Sequence, residues 1–342
     1  MEILNGKVNR NVFRLIDPEE FLAIFMNWIN EIIKNKTGKQ IIIDGKAIRW
    51  ATEKCTNGNI SYIVSAYLAD LGISIGQVKV EDKSNEITAI SELLDLLDID
   101  GCVITIDAIG TQTKIMDKII EKGGNFVLPV KMNNKGMNKE IVEFFEDSVE
   151  KDFEKLIKSK KKEEQFEYIN KHNEKFEVYI TRENRHGREE ERIYIKSINV
   201  KWIKDKKWKH VKSMVMAINN TTVHDSSVIY YFSSINLPVE ELAKIIRKHW
   251  QIENNLHWVL DMYFYEDLSR NRKDNGLENL SILRKICYNI IKMDTRYDKV
   301  NKNGNIIKLS TKRKMNRYVN YPKEFKKLLF KIIPQIYQNN NW

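Results

Sequence analysis

Three acids stand in surroundings that are otherwise apolar. Asp44 closes the run KQIIID (39–44) ahead of Gly45, and Asp107 closes GCVITID (101–107) ahead of Ala108. Glu253 lies in RKHWQIENNLHW (247–258), inside a stretch where Leu242, Ile245, Ile246, Ile252, Leu256, Val259, Leu260 and Tyr263 recur at spacings of three and four. That period predicts one core-facing helical stripe, with His249 and Glu253 on it. A carboxylate buried there is expensive unless it is paired or ligates a cation.

A cation suits all three acids. The predicted strand order makes the strands that end at Asp44 and Asp107 neighbours about 4.8 Å apart. Two like charges that close repel and raise each other's pKa unless a cation lies between them. Oxygen-only ligands favour Mg²⁺ or Mn²⁺, and Glu253 would supply the third side of the cage. The bland alternative for Asp44 is an Asp-Gly turn. Asp107 is harder to explain so, because a strand entering a helix through AIGTQ needs no acid. Zinc is an alternative on His249, Glu253 and His257, but the two histidines are about 12 Å apart along a helix axis, and no HExxH is present. No Ser/His or Cys/His arrangement suggests a covalent nucleophile. Trp250 and Trp258 read as packing residues.

Several elements must position these acids. PEEFLAIFMNWINEIIKN, preceded by Asp17, predicts an N-capped helix. Residues 39–45, 59–70 and 73–82 read as strands of an antiparallel meander. Residues 87–98 read as a helix, 101–108 as a buried strand, 111–124 as a helix stopped by glycines and 125–131 as another strand. Then follows a highly charged stretch, helical first and β-rich afterwards, whose charge density is too high to build a large core of its own. The expected boundaries are 1–36 for an N-terminal helical segment, 37–131 for the first part of an α/β core, 132–236 for an insertion, 237–293 for the helix bearing Glu253 and its continuation, and 294–342 for a basic C-terminal segment.

The charge is localised. All of the formal +10 of the 342 residues is accounted for between Arg296 and Lys331, where twelve Lys or Arg face only Asp298 and Glu324, with Tyr and Phe interleaved. Such a segment suits a polyanion such as a nucleic acid backbone, or is merely a solvated Lys-rich tail. KWIKDKKWKH (201–210) is either a further backbone grip or a solvated turn. No 18-residue apolar run or signal-peptide pattern occurs, which places the chain in the cytoplasm. Cys55, Cys102 and Cys287 form no CxxC and read as reduced packing residues.

IIIDGKAIR, TIDAIGTQTKI, HGREEERIY and RKHWQIENNLHWVLDMYFYEDLSRNRKDNGLENLSILRKICYNIIK resemble the ISAs-type insertion-sequence transposases, also called H-repeat-associated proteins. The resemblance runs from about Val12 to Lys292. It implies a DDE transposase with an RNase H-like core: a mixed sheet flanked by helices, with a helical then β-rich insertion before the last catalytic helix. It also implies that Asp44, Asp107 and Glu253 are the catalytic acids, holding two Mg²⁺ (or Mn²⁺) ions. Against the family pattern the chain looks truncated at its N-terminus and carries KMNN (131–134) where Lys-Gly-Asn-Gln is usual. His249 and Leu260 stand where the wider superfamily has Arg and Lys. Lys46, Arg49, Lys131, Arg247, Asn254, Arg270 and Arg272 are the candidates for DNA contact.

The function so expected is metal-dependent hydrolysis of a phosphodiester at the ends of a bacterial insertion sequence, followed by strand transfer to target DNA, with a homodimer handling the two ends. The alternatives are an RNase H-like nuclease without strand transfer and an inactive, N-terminally truncated DNA-binding remnant.

Overall fold

The computed structural model describes residues 7–48, 61–80, 86–131, 134–149, 151–160, 163–185, 188–203, 208–221, 226–269, 271, 273–302 and 304–329. The chain begins with α1 (Lys7–Leu15) and α2 (Pro18–Ile32). Asp17 caps α2 as expected, its carboxylate accepting from the N–H groups of Glu19 and Glu20, with Pro18 at the first helical position. There follow β1 (Gln40–Ala47), β2 (Tyr62–Leu68), β3 (Ile73–Val80), α3 (Glu86–Leu96), β4 (Val103–Ile106), α4 (Thr113–Glu121) and β5 (Asn125–Val130). Next come α5 (Lys135–Ser148), α6 (Lys151–Ser159), β6 (Glu163–Ile169), β7 (Lys175–Arg185), β8 (Arg188–Ser197), β9 (Ser213–Thr221) and β10 (Ser227–Ser233). The chain continues through α7 (Val239–Lys248), a π turn (Ile252–His257), α8 (Trp258–Phe264), α9 (Gly276–Met293), the short hairpin β11 (Lys299–Val300) and β12 (Ile306–Ile307), and α10 (Thr311–Asn320).

Two compact units share β1. The second comprises 36–43 and 97–250; the first comprises the remaining segments 1–35, 44–96 and 251–342.

In the second unit the sheet runs β1-β4-β5-β10-β9-β8-β7-β6. β1, β4 and β5 are parallel, with Ile43 opposite Ile106 at the end of the β1–β4 ladder. From β10 outward every pairing is antiparallel. The strands of the charged stretch therefore extend the same sheet rather than seek a core of their own. α7 closes over them, burying Val239, Leu242, Ala243 and Ile246 against Val103, Val127, Tyr179, Tyr194 and Val215. This shared apolar layer is what the high charge of residues 132–236 could not supply alone.

In the first unit β2 and β3 pair antiparallel, with an irregularity at Ala66/Tyr67, and Ile48 past the end of β1 donates its N–H to the Ser61 carbonyl. α3 and α9 lie against β3, α1 and α2 against α9, and Ile48, Ile63 and Leu277 pack together. The architecture is the RNase H-like mixed sheet flanked by helices, and the insertion is helical first (α5, α6) and β-rich afterwards (β6 to β10), as the sequence predicts.

The basic C-terminal segment is folded as far as residue 329. Arg296 donates to Asp294, the Lys314 ammonium is buried against the Asp294 carbonyl, and the Arg317 guanidinium lies 4.2 Å from the centre of the Tyr297 ring. Lys314 is thus spent internally, whereas Lys299, Lys302, Lys308, Lys312, Arg313, Arg317, Lys323, Lys326 and Lys327 are exposed. The aromatic half of 201–210 is internal as well: Trp202 stacks on Phe144 at 5.3 Å and Trp208 packs on Phe232. Its two tryptophans therefore serve packing rather than an aromatic grip, and residues 204–207 lie outside the described residues. Among the cysteines, Cys102 is buried and unpaired with its thiol pushed up to about 11 by burial, Cys287 is also free, and Cys55 lies outside the described residues.

Leu242 is fully buried in the layer that joins insertion and core. Leu242→Ala should therefore cost about 2–5 kcal/mol, read as a shift in the urea midpoint.

Candidate active site

The predicted continuous helix is interrupted. α7 stops at Lys248, and from Ile252 to His257 the backbone widens into a π turn in which the Trp258 N–H donates to the Glu253 carbonyl, five residues back. Each residue in such a turn advances less around the axis than in an α-helix, so the apolar stripe is dephased. Glu253 is consequently exposed and His257 is 9% exposed, the reverse of a carboxylate buried on the stripe. Trp258 is half exposed and Trp250 is 56% exposed, so both overturn the packing expectation.

In the first unit Asp44 does not end its strand, which continues to Ala47. His257 Nδ1 lies 3.4 Å from Asp44 Oδ2. Burial holds the imidazole down to about 3, helped by the Lys46 and Lys285 ammonium groups, so it is neutral near pH 7 and gives Asp44 a polar neighbour rather than a counter-charge. Its Nε2 has no hydrogen-bond partner among the described residues.

Two residues along the same face of β1, Lys46 points into a group of acids. Its ammonium bonds Asp261 Oδ1 and lies 3.2 Å from Glu266 Oε2 and 3.4 Å from Asp267 Oδ1. Glu266 is 2% exposed, and its other oxygen accepts from Ser281 Oγ at 2.9 Å. Ser281 Oγ also lies 3.1 Å from Gln77 Oε1, and Lys285 Nζ donates to Gln77 Oε1 at 2.6 Å and to Ser281 Oγ at 2.9 Å. Burial by itself would push the Glu266 carboxyl up; Lys285, Lys46 and Arg284 hold it at about 2 instead. Burial lowers Lys285 to about 8 against the pull of Glu266. Glu266, Ser281 and Lys285 lie within the long family-like stretch 247–292, but their pairing is not legible there; the local signal is the polar spacing 281/285 on the inner face of α9.

In the second unit Asp107 follows β4 and caps a short 3-10 turn, Ala108–Gly110, its carboxylate accepting from the Ile109 N–H at 3.0 Å. An acid is therefore useful at this strand exit after all. His249 Nδ1 lies 3.1 Å from Thr105 Oγ1, and Gln40 Nε2 donates both to Thr105 Oγ1 and to the Ile245 carbonyl, which ties the C-terminus of α7 to β1 and β4. Burial lowers His249 to about 4, against the pull of Asp107 and with the Lys131 charge adding to the effect.

Lys131 and Asn254 are exposed. Arg247 donates to Glu183 at 2.9 Å. Arg49, Arg270, Arg272 and Asn133 lie outside the described residues. Among the described residues no group of three or more His, Cys, Asp or Glu is arranged to enclose a metal ion, so neither the predicted oxygen cage nor the zinc alternative is assembled there.

Glu266 gives the site a definite pH dependence. Its folded pKa lies below its ordinary value, so it stabilises the fold above about pH 4.5, and roughly 3 kcal/mol is lost as pH falls from there toward 2. Lys285, also depressed in the fold, has a linkage of the same sign in a different window, with stability gained as pH rises from about 8 toward 10.5. Denaturant unfolding at stepped pH should show Glu266→Gln losing less stability than the parent chain between pH 4.5 and 2; parallel curves would refute the assignment.

Comparison with known proteins gives a concordant result. The family model described as "Transposase DDE domain" matches residues 35–290. YbfL of Escherichia coli strain K12 is 34% identical over 296 residues, 83% of this chain and 72% of that protein. YhhI of the same strain, named for H repeat-associated transposases, is 33% identical over the same shares. YncI of Escherichia coli O157:H7, also bearing a transposase name, is 36% identical over 81% of this chain and 68% of its own. Among solved structures, the piggyBac transposase synaptic complex with hairpin DNA aligns at 8% identity with a TM-score of 0.37, over 90% of this chain and 55% of that one, a likeness too distant to support any argument.

Proposed function

The chain belongs to the Transposase DDE domain family, and we propose that it is a DNA transposase whose acids Asp44, Asp107 and Glu253 serve phosphodiester hydrolysis at the ends of an insertion sequence and strand transfer to target DNA. The observation that carries this reading is the family match over 35–290, which spans all three acids. Two local features support it. Asp44 and Asp107 directly follow Ile43 and Ile106, the last paired residues of the β1–β4 ladder. Glu253 is exposed on a π turn, a backbone form frequent at functional sites.

DDE domains generally use divalent metal ions. The donor chemistry of three carboxylates fits a hard cation, Mg²⁺ or Mn²⁺, and we assign the three acids as its ligands without assigning a geometry, since no such cluster is assembled among the described residues. When bound, two such ions lower the pKa of the attacking water or 3′ hydroxyl and stabilise the leaving oxygen. The chain's own part is to aim these carboxylates. His257, neutral, stands 3.4 Å from Asp44, and the Ile109 N–H orients Asp107.

DNA, as element end and as target, is the proposed partner. Lys131, Asn254 and Arg247 are proposed backbone contacts, together with Arg49, Arg270 and Arg272 and the exposed cations of the C-terminal segment. A homodimer would bring two ends together. No helix among the described residues is long and apolar enough to cross a membrane, and the cytoplasm is the proposed location.

Nicking of supercoiled plasmid by the purified chain should require Mg²⁺ or Mn²⁺, and Glu253→Gln and Asp44→Asn should each lower it by about 10²-fold or more while leaving salt-sensitive DNA binding intact. Nicking without joining of element-end substrates would indicate a nuclease, and DNA binding without nicking an inactive remnant.

A further inference from the structure

We propose that Lys46 is a positioning residue: within the first unit it fastens the segment that carries Glu253 to the strand that carries Asp44, and it does not contact DNA. The inference rests on the reading of Asp44 and Glu253 as catalytic acids.

The geometry is specific. Asp44 and Lys46 are alternate residues of β1 and face the same way, so whatever grips Lys46 is registered to Asp44. What grips it is Asp261 on α8 and Glu266 and Asp267 just beyond that helix. α8 begins at Trp258, whose N–H bonds the Glu253 carbonyl across the π turn, so α8 and Glu253 form one hydrogen-bonded segment. The clamp itself is stiff. Glu266 is buried and accepts from Ser281 on α9, which with Lys285 leads to Gln77 on β3. Lys46 is thus the link between β1 and a network seated on α9 and β3.

The same contacts disqualify Lys46 as a backbone contact. Its side chain is 12% exposed. Three carboxylates surround one ammonium, so the immediate neighbourhood repels a phosphate. Glu266 is held as a carboxylate by three cations and keeps that negative charge at any pH where DNA would be bound. A phosphate approaching Lys46 would have to displace its bonds to three carboxylates, one of which, Glu266, is buried and held charged.

A double-mutant cycle tests this. Lys46→Gln and Asp261→Asn, alone and combined, are compared with the parent chain for nicking turnover, for the Mn²⁺ concentration giving half-maximal nicking, for the Mn²⁺-dependent shift in Tm, and for the salt dependence of plasmid affinity. Lys46→Arg, which keeps the charge and its partners, controls for folding.

With a positioning role, each single variant loses about 10²-fold in turnover at unchanged DNA affinity, because misplacing a reacting group by about an ångström costs that much. Both need more Mn²⁺ and show a smaller Mn²⁺-dependent Tm shift, the double variant is no worse than the poorer single one, and Lys46→Arg recovers most of the turnover. A merely structural role would lower Tm without moving the Mn²⁺ requirement at temperatures where the variants are folded, and would overturn the proposal. A DNA-contact role would overturn it too: Lys46→Gln would flatten the log–log salt slope by about 0.9, and Asp261→Asn would tighten binding. If the parent chain itself shows no metal-dependent nicking, the transposase reading fails first and this proposal falls with it.

Discussion

The hydrogen bond from the Trp258 N–H to the Glu253 carbonyl governs how this region presents its chemistry. A bond five residues back, in place of four, widens one turn and shifts the phase of everything after it. Before the turn, Leu242 and Ile246 face the core of the second unit; after it, Val259, Leu260 and Phe264 are again buried. Within the turn the phase is such that Ile252, Leu256 and His257 go inward while Glu253 and Asn254 remain at the surface. Restoring α-helical hydrogen bonding would force a choice between burying Glu253 and exposing apolar residues. With the widened turn, the exposed carboxylate has not paid the desolvation cost that its predicted burial would have imposed.

Charge in the first unit is handled by burial in pairs. Lys46, Arg284 and Lys285 stand among Asp261, Glu266 and Asp267 in a region where several of these side chains are almost inaccessible. Such clusters seldom add net stability over an apolar equivalent, but breaking one is costly, so they fix which element sits against which. Here they fix β1, α8, α9 and β3. A hydrophobic contact would allow α8 to slide by fractions of a residue; three ion pairs to one ammonium do not.

Much of the fold was legible in the sequence, and the unreadable parts have physical causes. The strands III and VITI, the Asp17-Pro18 start of α2 and the glycine stop after α4 are local signals, and local signals survive in one dimension. That acids stand at the ends of apolar runs was legible as well. Their settings were not. The π turn leaves no mark in residue types, and a 3.6-residue template applied across it puts Glu253 on the buried face with His257, where only His257 lies. A 3-10 turn of three residues is too short to announce itself in the sequence, so nothing there shows that the Asp107 carboxylate caps one. Trp250 and Trp258 are half exposed because a tryptophan's place depends on the phase of its helix, which the residue types do not show.

Lys46 shows most clearly why a list of basic residues is not a map of a DNA surface. In the sequence it sits two residues after Asp44 and reads as a cation placed to meet a phosphate. In three dimensions its charge is claimed by acids that lie 215 to 221 positions later in the chain, a separation at which no local pattern carries information. The C-terminal cations differ in kind: most of them are exposed while their two acidic neighbours are partly covered, one of them, Glu324, engaged by the Tyr297 hydroxyl. Whether a basic residue serves a polyanion depends on how much of its field is left after its neighbours have been satisfied. By that measure the positive potential of this chain belongs to residues 296–329, and the cation beside Asp44 belongs to the scaffold that holds Asp44 and α8 in register.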